Sequence, residues 1–114
     1  MDWTIKYYKT QEGKDVLKDW IDSLEKTAIN AIAYAIDRLT DVGIRLKEPH
    51  TKHLEGKLYE LRIKDFKGIY RIIYFANMGK EFVLLHGYVK KTNKTPIKEL
   101  EIARKRMKEV ISNG

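Results

Sequence analysis

The sequence predicts an α+β domain: a small antiparallel β-sheet with two N-terminal helices and a C-terminal helix, in the order β-α-α-β-β-β-α. Three observations predict it. Apolar residues recur at helical spacing in two early stretches and one late one. Three mid-chain stretches are rich in β-branched and aromatic residues. The connections between those stretches are short, which favours antiparallel neighbours.

In chain order, Trp3, Ile5 and Tyr7 alternate with polar residues and read as an opening strand. Val16, Leu17, Trp20, Ile21 and Leu24 form the first helical stripe. Ala28, Ile29, Ile32, Ala35, Ile36 and Leu39 form the second, with Gly43 just beyond it as a left-handed cap. From Ile44 to Gly56 no period is clean and Pro49 intervenes, so the stretch reads as a loop. Strands are expected over Leu58–Lys64, Ile69–Phe75 and Phe82–Val89. Thr95 as N-cap and Pro96 at the first helical position open the last helix, whose stripe is Ile97, Leu100, Ala103, Met107, Val110 and Ile111.

A chain of 114 residues suits one domain, 1–114, with one core. The absence of cysteine excludes disulfides, thiol catalysis and thiolate metal sites, and it suits a cytoplasmic setting. No apolar run approaches the roughly 20 residues of a membrane span, and no signal-peptide pattern opens the chain. The net charge of +7 is the most informative number. Residues 1–57 carry 10 basic and 10 acidic side chains, whereas residues 58–114 carry 13 and 6, so all the excess lies in the second half. A neutral half joined to a basic one points to a polyanionic partner, most often nucleic acid.

Parity sorts the strand residues into faces. Tyr59, Leu61 and Ile63 share one face with Tyr70, Ile72 and Tyr74, an apolar face for the first two helices. If Met78-Gly79 is a two-residue turn and residues 65–68 a four-residue loop, Arg71 lies opposite His86 on one side and Arg62 on the other. Arg62, Lys64, Arg71, His86, Tyr88 and Lys90 then emerge on one face, with Ile73, Phe75, Phe82 and Leu84 at its far end for the last helix to cover. Cations gathered at the end of one sheet face form a shallow anion-binding groove. Arg71 interrupts an apolar run, where a cation needs a carboxylate or a ligand, and Glu60 is the obvious acid nearby. His86 on its own reads as a hydrogen-bonded core histidine, and Trp3 and Trp20 as core. His50 and His53 form an H-x-x-H without the glutamate of a zinc-protease motif, and no metal site is expected there.

The runs Leu58-Tyr59-Glu60-Leu61-Arg62, Tyr70-Arg71-Ile72-Ile73-Tyr74-Phe75 and Leu84-Leu85-His86-Gly87-Tyr88-Val89-Lys90-Lys91-Thr92, with Lys94-Thr95-Pro96 before a helix, resemble the RelE/ParE toxin superfamily. The match is nearest to its HigB-like branch, often described as phage-derived. The resemblance spans nearly the whole chain. It implies the toxin of a type II toxin–antitoxin pair, an endoribonuclease that cuts messenger RNA in the ribosomal A site without metal or other cofactor. It implies as partners a helix-turn-helix, HigA-like antitoxin, the ribosome and its message, and no membrane. By position Arg71 matches the family's central-strand arginine that stabilises the scissile phosphate. Arg62 and Lys64 match its preceding-strand basic residues, and Lys90 or Lys91 the basic residue after the last strand; Lys94 and Arg104 extend the phosphate-binding set. Some relatives use a tyrosine in the C-terminal segment as general base, where Ile97 lies here, so His86, Tyr88 or a lysine would take that role. ParE-like relatives instead inhibit DNA gyrase, and a relative that binds RNA without cleaving it is a further alternative.

Overall fold

The computed structural model describes residues 3–113. Strand β1 (Thr4–Tyr7) is followed by α1 (Val16–Asp22) and α2 (Lys26–Val42), then β2 (Thr51–Glu55), β3 (Leu58–Lys64), β4 (Ile69–Asn77), β5 (Glu81–Val89) and α3 (Ile97–Asn113). The expected α+β class is what forms, with one strand more than expected. The five strands are ordered β1-β5-β4-β3-β2; β2 to β5 run antiparallel, and β1 joins β5 in parallel. The stretch from Ile44 to Gly56, read as a loop, contains β2 and the end of a short 3₁₀ turn at Gly43–Arg45. β2 escapes a pattern search because it is a polar edge strand whose register shifts between His53 and Glu55. No helix among the described residues is long and apolar enough to cross a membrane.

The sheet is covered on both faces. Leu61, Ile63, Tyr70, Ile72, Tyr74, Phe82 and Leu84 pack against the stripes of α1 and α2. Leu58, Ile73, Phe75, Val83 and Leu85 pack against Ala103, Leu100, Met107 and Val110 of α3. Phe82 and Leu84 therefore lie beneath the first two helices, and Val83 and Leu85 take the place expected for them under α3. The cause is the β4–β5 hairpin. Asn77 pairs with Glu81, so the connection is Met78-Gly79-Lys80 rather than two residues, with positive φ at Gly79 (76°) and Lys80 (58°). The register then shifts between Ile73 and Tyr74, leaving Leu85 as an extra residue on β5. Arg106 of α3 donates to the Leu85 carbonyl at 2.9 Å, and its guanidinium lies 4.7 Å from the centre of the Tyr8 ring. The Tyr8 hydroxyl in turn bonds Glu109. The bulge, the last helix and the segment after β1 are thus tied together.

The β3–β4 loop is the four-residue one expected. Asp65 accepts from the Lys67 and Gly68 amides at 2.9 Å each, and from Thr27 of α2 at 2.9 Å. Two helix-end expectations differ. Gly43 does follow α2 with positive φ (71°), but its ψ of −146° is not that of a left-handed cap. The Pro96 carbonyl accepts from the Leu100 amide, which puts proline at the N-cap position, while the Thr95 hydroxyl is turned to a different acceptor described below.

Gly87 meets Trp20 more closely than any side chain allows: a Cβ there would lie 2.2 Å from the indole. Gly87→Ala should cost about 1–3 kcal/mol of stability, read as a lower urea midpoint. Trp20→Leu in the same chain should reduce that penalty; an unchanged midpoint in Gly87→Ala alone would show that the indole is free to move.

Candidate functional site

Both outer strands cover the same end of the sheet. β1 pairs only with Glu81–Leu84 of β5, and β2 only with Leu58–Leu61 of β3. Beyond those rows the sheet is three strands wide. On the α3 face, successive rows across β3, β4 and β5 read Glu60–Ile73–His86, Arg62–Arg71–Tyr88 and Lys64–Ile69–Lys90, the last pairing made by the Lys90 amide on the Ile69 carbonyl at 2.8 Å. Arg71 thus stands opposite Tyr88, not His86 as expected, and His86 lies one row back. Among the described residues, no hydrogen bond or ion pair joins α3 to the two rows beyond Glu60.

Glu60 is 2% exposed and organises this end. One carboxylate oxygen accepts from the Tyr88 hydroxyl at 2.7 Å and the Thr95 hydroxyl at 2.9 Å. The other lies 3.6 Å from Arg71 Nε and 3.8 Å from Arg62 Nε, ion pairs looser than hydrogen bonds. Arg71 is 6% exposed. It is turned inward and has an acidic neighbour, although His86 and Lys90 flank it in the adjoining rows. Burial lowers the guanidinium pKa from its ordinary value and Glu60 opposes that, so the charge stays. Arg62 Nε is buried without a hydrogen-bond partner, an arrangement that a ligand atom or water would relieve. Tyr88 is not a proton acceptor in waiting: burial first, then its bond to Glu60, push its pKa up. Glu99 was not singled out in the sequence, and Thr95 was read there as a helix N-cap; Glu60 was marked as the acid nearest Arg71.

His86 Nε2 lies 2.6 Å from Glu99 Oε1 of α3. Burial lowers the imidazole pKa more than Glu99 raises it, so the ring is neutral at neutral pH. A carboxylate only accepts, so Nε2 carries the proton and Nδ1 keeps its lone pair. The core reading of His86 and a basic role are therefore compatible.

A concavity of about 440 Å³ opens where β3 runs past the end of β2. Arg62, Lys64 and Arg71 line it from the sheet, Tyr34 and Arg38 from α2, and His50 from the segment before β2. Among the described residues, no acid lines it. His50 and His53 do not act together: His50 Nδ1 meets Arg38, while His53 bonds the Gly56 carbonyl. Lys91 lines a second hollow of about 420 Å³ at the β5 edge with Tyr88 and Glu99, and Lys94 is exposed in the same connection. Arg104 does not join the group; it forms a two-pronged pair with Glu55 of β2, at 2.6 and 2.7 Å.

Because the folded His86 pKa lies below that of the unfolded chain, the unfolded state binds more protons as pH falls below about 6.5, and stability falls with it. The urea midpoint should drop between about pH 7 and pH 5, and His86→Gln should remove part of that drop. A pH dependence identical in the variant would mean that the ring titrates as it does unfolded.

Residues 19–108 match the family described as phage derived protein Gp49-like (DUF891). No curated protein matches the chain. The match takes in α2, the β3–β5 sheet with its glutamate-centred cation cluster, and most of α3. The chain belongs to the phage-derived Gp49-like family, and through it to the broad RelE/ParE toxin superfamily.

Proposed function

We propose that this protein is the toxin of a type II toxin–antitoxin pair, of the HigB-like kind, and that it cuts messenger RNA on the ribosome without a metal ion. The observation that carries this reading is the pair Arg62 and Arg71 held at one carboxylate, with Lys64 and Lys90 in the next row of the three-strand end of the sheet, beside a concavity without an acidic wall among the described residues. Such a surface suits a chain of phosphates, whose contacts are cationic and salt-sensitive. A helix-turn-helix antitoxin that covers the same charge would silence it.

The chemistry divides among the residues as follows. His86 Nδ1 takes the 2′-hydroxyl proton, with Glu99 holding the ring in the required tautomer, as a carboxylate does for a catalytic histidine. The alkoxide attacks phosphorus; Arg71 and Arg62 face the charge that builds on the non-bridging oxygens. Lys90 or Lys91 protonates the departing 5′-oxygen, leaving a 2′,3′-cyclic phosphate. Tyr88 and Thr95 position Glu60, which holds the two arginines.

The burial of Arg71 beside Glu60 favours a second reading, in which the cluster is a structural network under a surface that binds RNA without cutting it. Mapping message 5′ ends after inducible expression separates the two, with a supercoiling assay to test the gyrase alternative. Arg71→Lys keeps a charge beside Glu60 but loses the fork, so it should fold and cleave about 10²–10³-fold more slowly. His86→Gln should slow cleavage by about 10²–10⁴-fold. Intact messages during growth arrest by the wild-type chain would overturn the nuclease, and loss of supercoiling beside them would point to gyrase.

A further inference from the structure

The outer wall of the concavity carries chemistry that the cleavage scheme leaves unused. Tyr34 is 67% exposed although it is large and aromatic, and the Arg38 guanidinium lies 5.0 Å from the centre of its ring. Tyr34 and Arg38 are four residues apart on α2, one turn of the same helix face. Small residues, Ala31 and Ala35, floor the space between them and the sheet. Neither Arg38 nor Lys64 has a carboxylate partner among the described residues. Lys64 remains available to a ligand, and Arg38 keeps donors beyond its bond to His50.

The proton positions on this wall follow from simple donor rules. Arg38 Nη1 lies 2.5 Å from His50 Nδ1. Arginine only donates, so Nδ1 accepts, and the proton of the neutral ring sits on Nε2. The polar groups lining the space from Arg38, His50, Arg62 and Lys64 are therefore donors, and beside them stands an aromatic ring with one face covered by a guanidinium. Donors alone select an acceptor-rich, anionic ligand. The ring and the planar guanidinium select a flat π-system. A single-stranded nucleotide unites the two requirements, and a volume of about 440 Å³ is within the usual range for a small-molecule pocket. An acidic peptide would satisfy the charge but would leave the exposed phenol without a stacking partner.

We infer that Tyr34, Arg38 and His50 form a base-stacking subsite for the nucleotide flanking the phosphate held at Arg62 and Arg71. In it the base lies against Tyr34, while Lys64 and His50 Nε2 meet phosphate or base acceptors. The inference deepens the RNA reading and rests on it. It also accounts for the side of the site on which the message would lie, since the concavity reaches Arg71 from the β3 edge.

The test measures binding of the full chain to a fluorescein-labelled RNA of about ten nucleotides and to an abasic strand of the same length, by anisotropy at fixed salt. Tyr34→Ala should weaken RNA binding about tenfold or more and leave the abasic strand within about twofold, because stacking is lost while phosphate contacts remain. Tyr34→Phe should bind as the wild type, and Arg38→Ala should weaken both ligands. The exposed position of Tyr34 keeps the two Tyr34 variants folded. Equal RNA affinity in Tyr34→Ala and wild type would overturn the subsite and leave the RNA reading standing. So would equal losses for the two strands. Failure of the wild type to bind the RNA, with capture of an acidic peptide at the same wall, would overturn both.

Discussion

A single buried carboxylate makes the open end of this sheet possible. Arg62 and Arg71 stand directly opposite one another on neighbouring strands, a like-charge pairing that by itself destabilises a sheet. Glu60 lies within reach of both and is fixed by the hydroxyls of Tyr88 and Thr95, from the next strand but one and from the approach to the last helix. With its lone pairs directed by those hydroxyls, it is held in place and does not follow either arginine. The ion pairs stay long, and Arg62 Nε stays without a hydrogen-bond partner. A buried charge network of this kind contributes little net stability compared with an apolar replacement, so its presence is better explained by what it positions.

Much of the architecture was legible because both faces of the central strands carry apolar residues in strict register with two helical layers. The faces of Arg62, Arg71, His86 and Tyr88 were also legible, for an instructive reason. The β4–β5 connection holds one residue more than a two-residue turn, and Leu85 adds a second as a bulge. Two one-residue shifts restore parity, so His86 and Tyr88 return to the face of Arg71 while the row changes by a full pair. Between the turn and the bulge parity is inverted, which is why Phe82 and Leu84 exchange sides with Val83 and Leu85. No signal marked the bulge, because a strand buried on both faces has no polar alternation to break.

Charge arithmetic was a coarser guide. The excess in the second half is real, but part of it is spent on assembly: Arg104 holds β2, Lys67 reaches back to Glu25, and Arg106 serves the bulge carbonyl and the Tyr8 ring. Meanwhile Arg38 and His50, from the half that sums to zero, line the concavity. Half-chain totals cannot anticipate this, since the fold brings α2 and the β3 edge together across a long separation in sequence. Glu99 and Thr95 were illegible for the same reason: only the packed position of α3 gives them partners on β5 and β3.

The resident acid has a consequence for what this surface retains. An incoming anion at Arg71 meets a negative group already seated there, so a small monovalent species gains little by displacing it. A polymer touching Lys64, Lys90 and Lys91 at the same time collects attraction over several points while it meets that repulsion once. On the proposed RNA reading, Glu60 would set a threshold of ligand length, favouring extended polyanions over the abundant small anions of a cell.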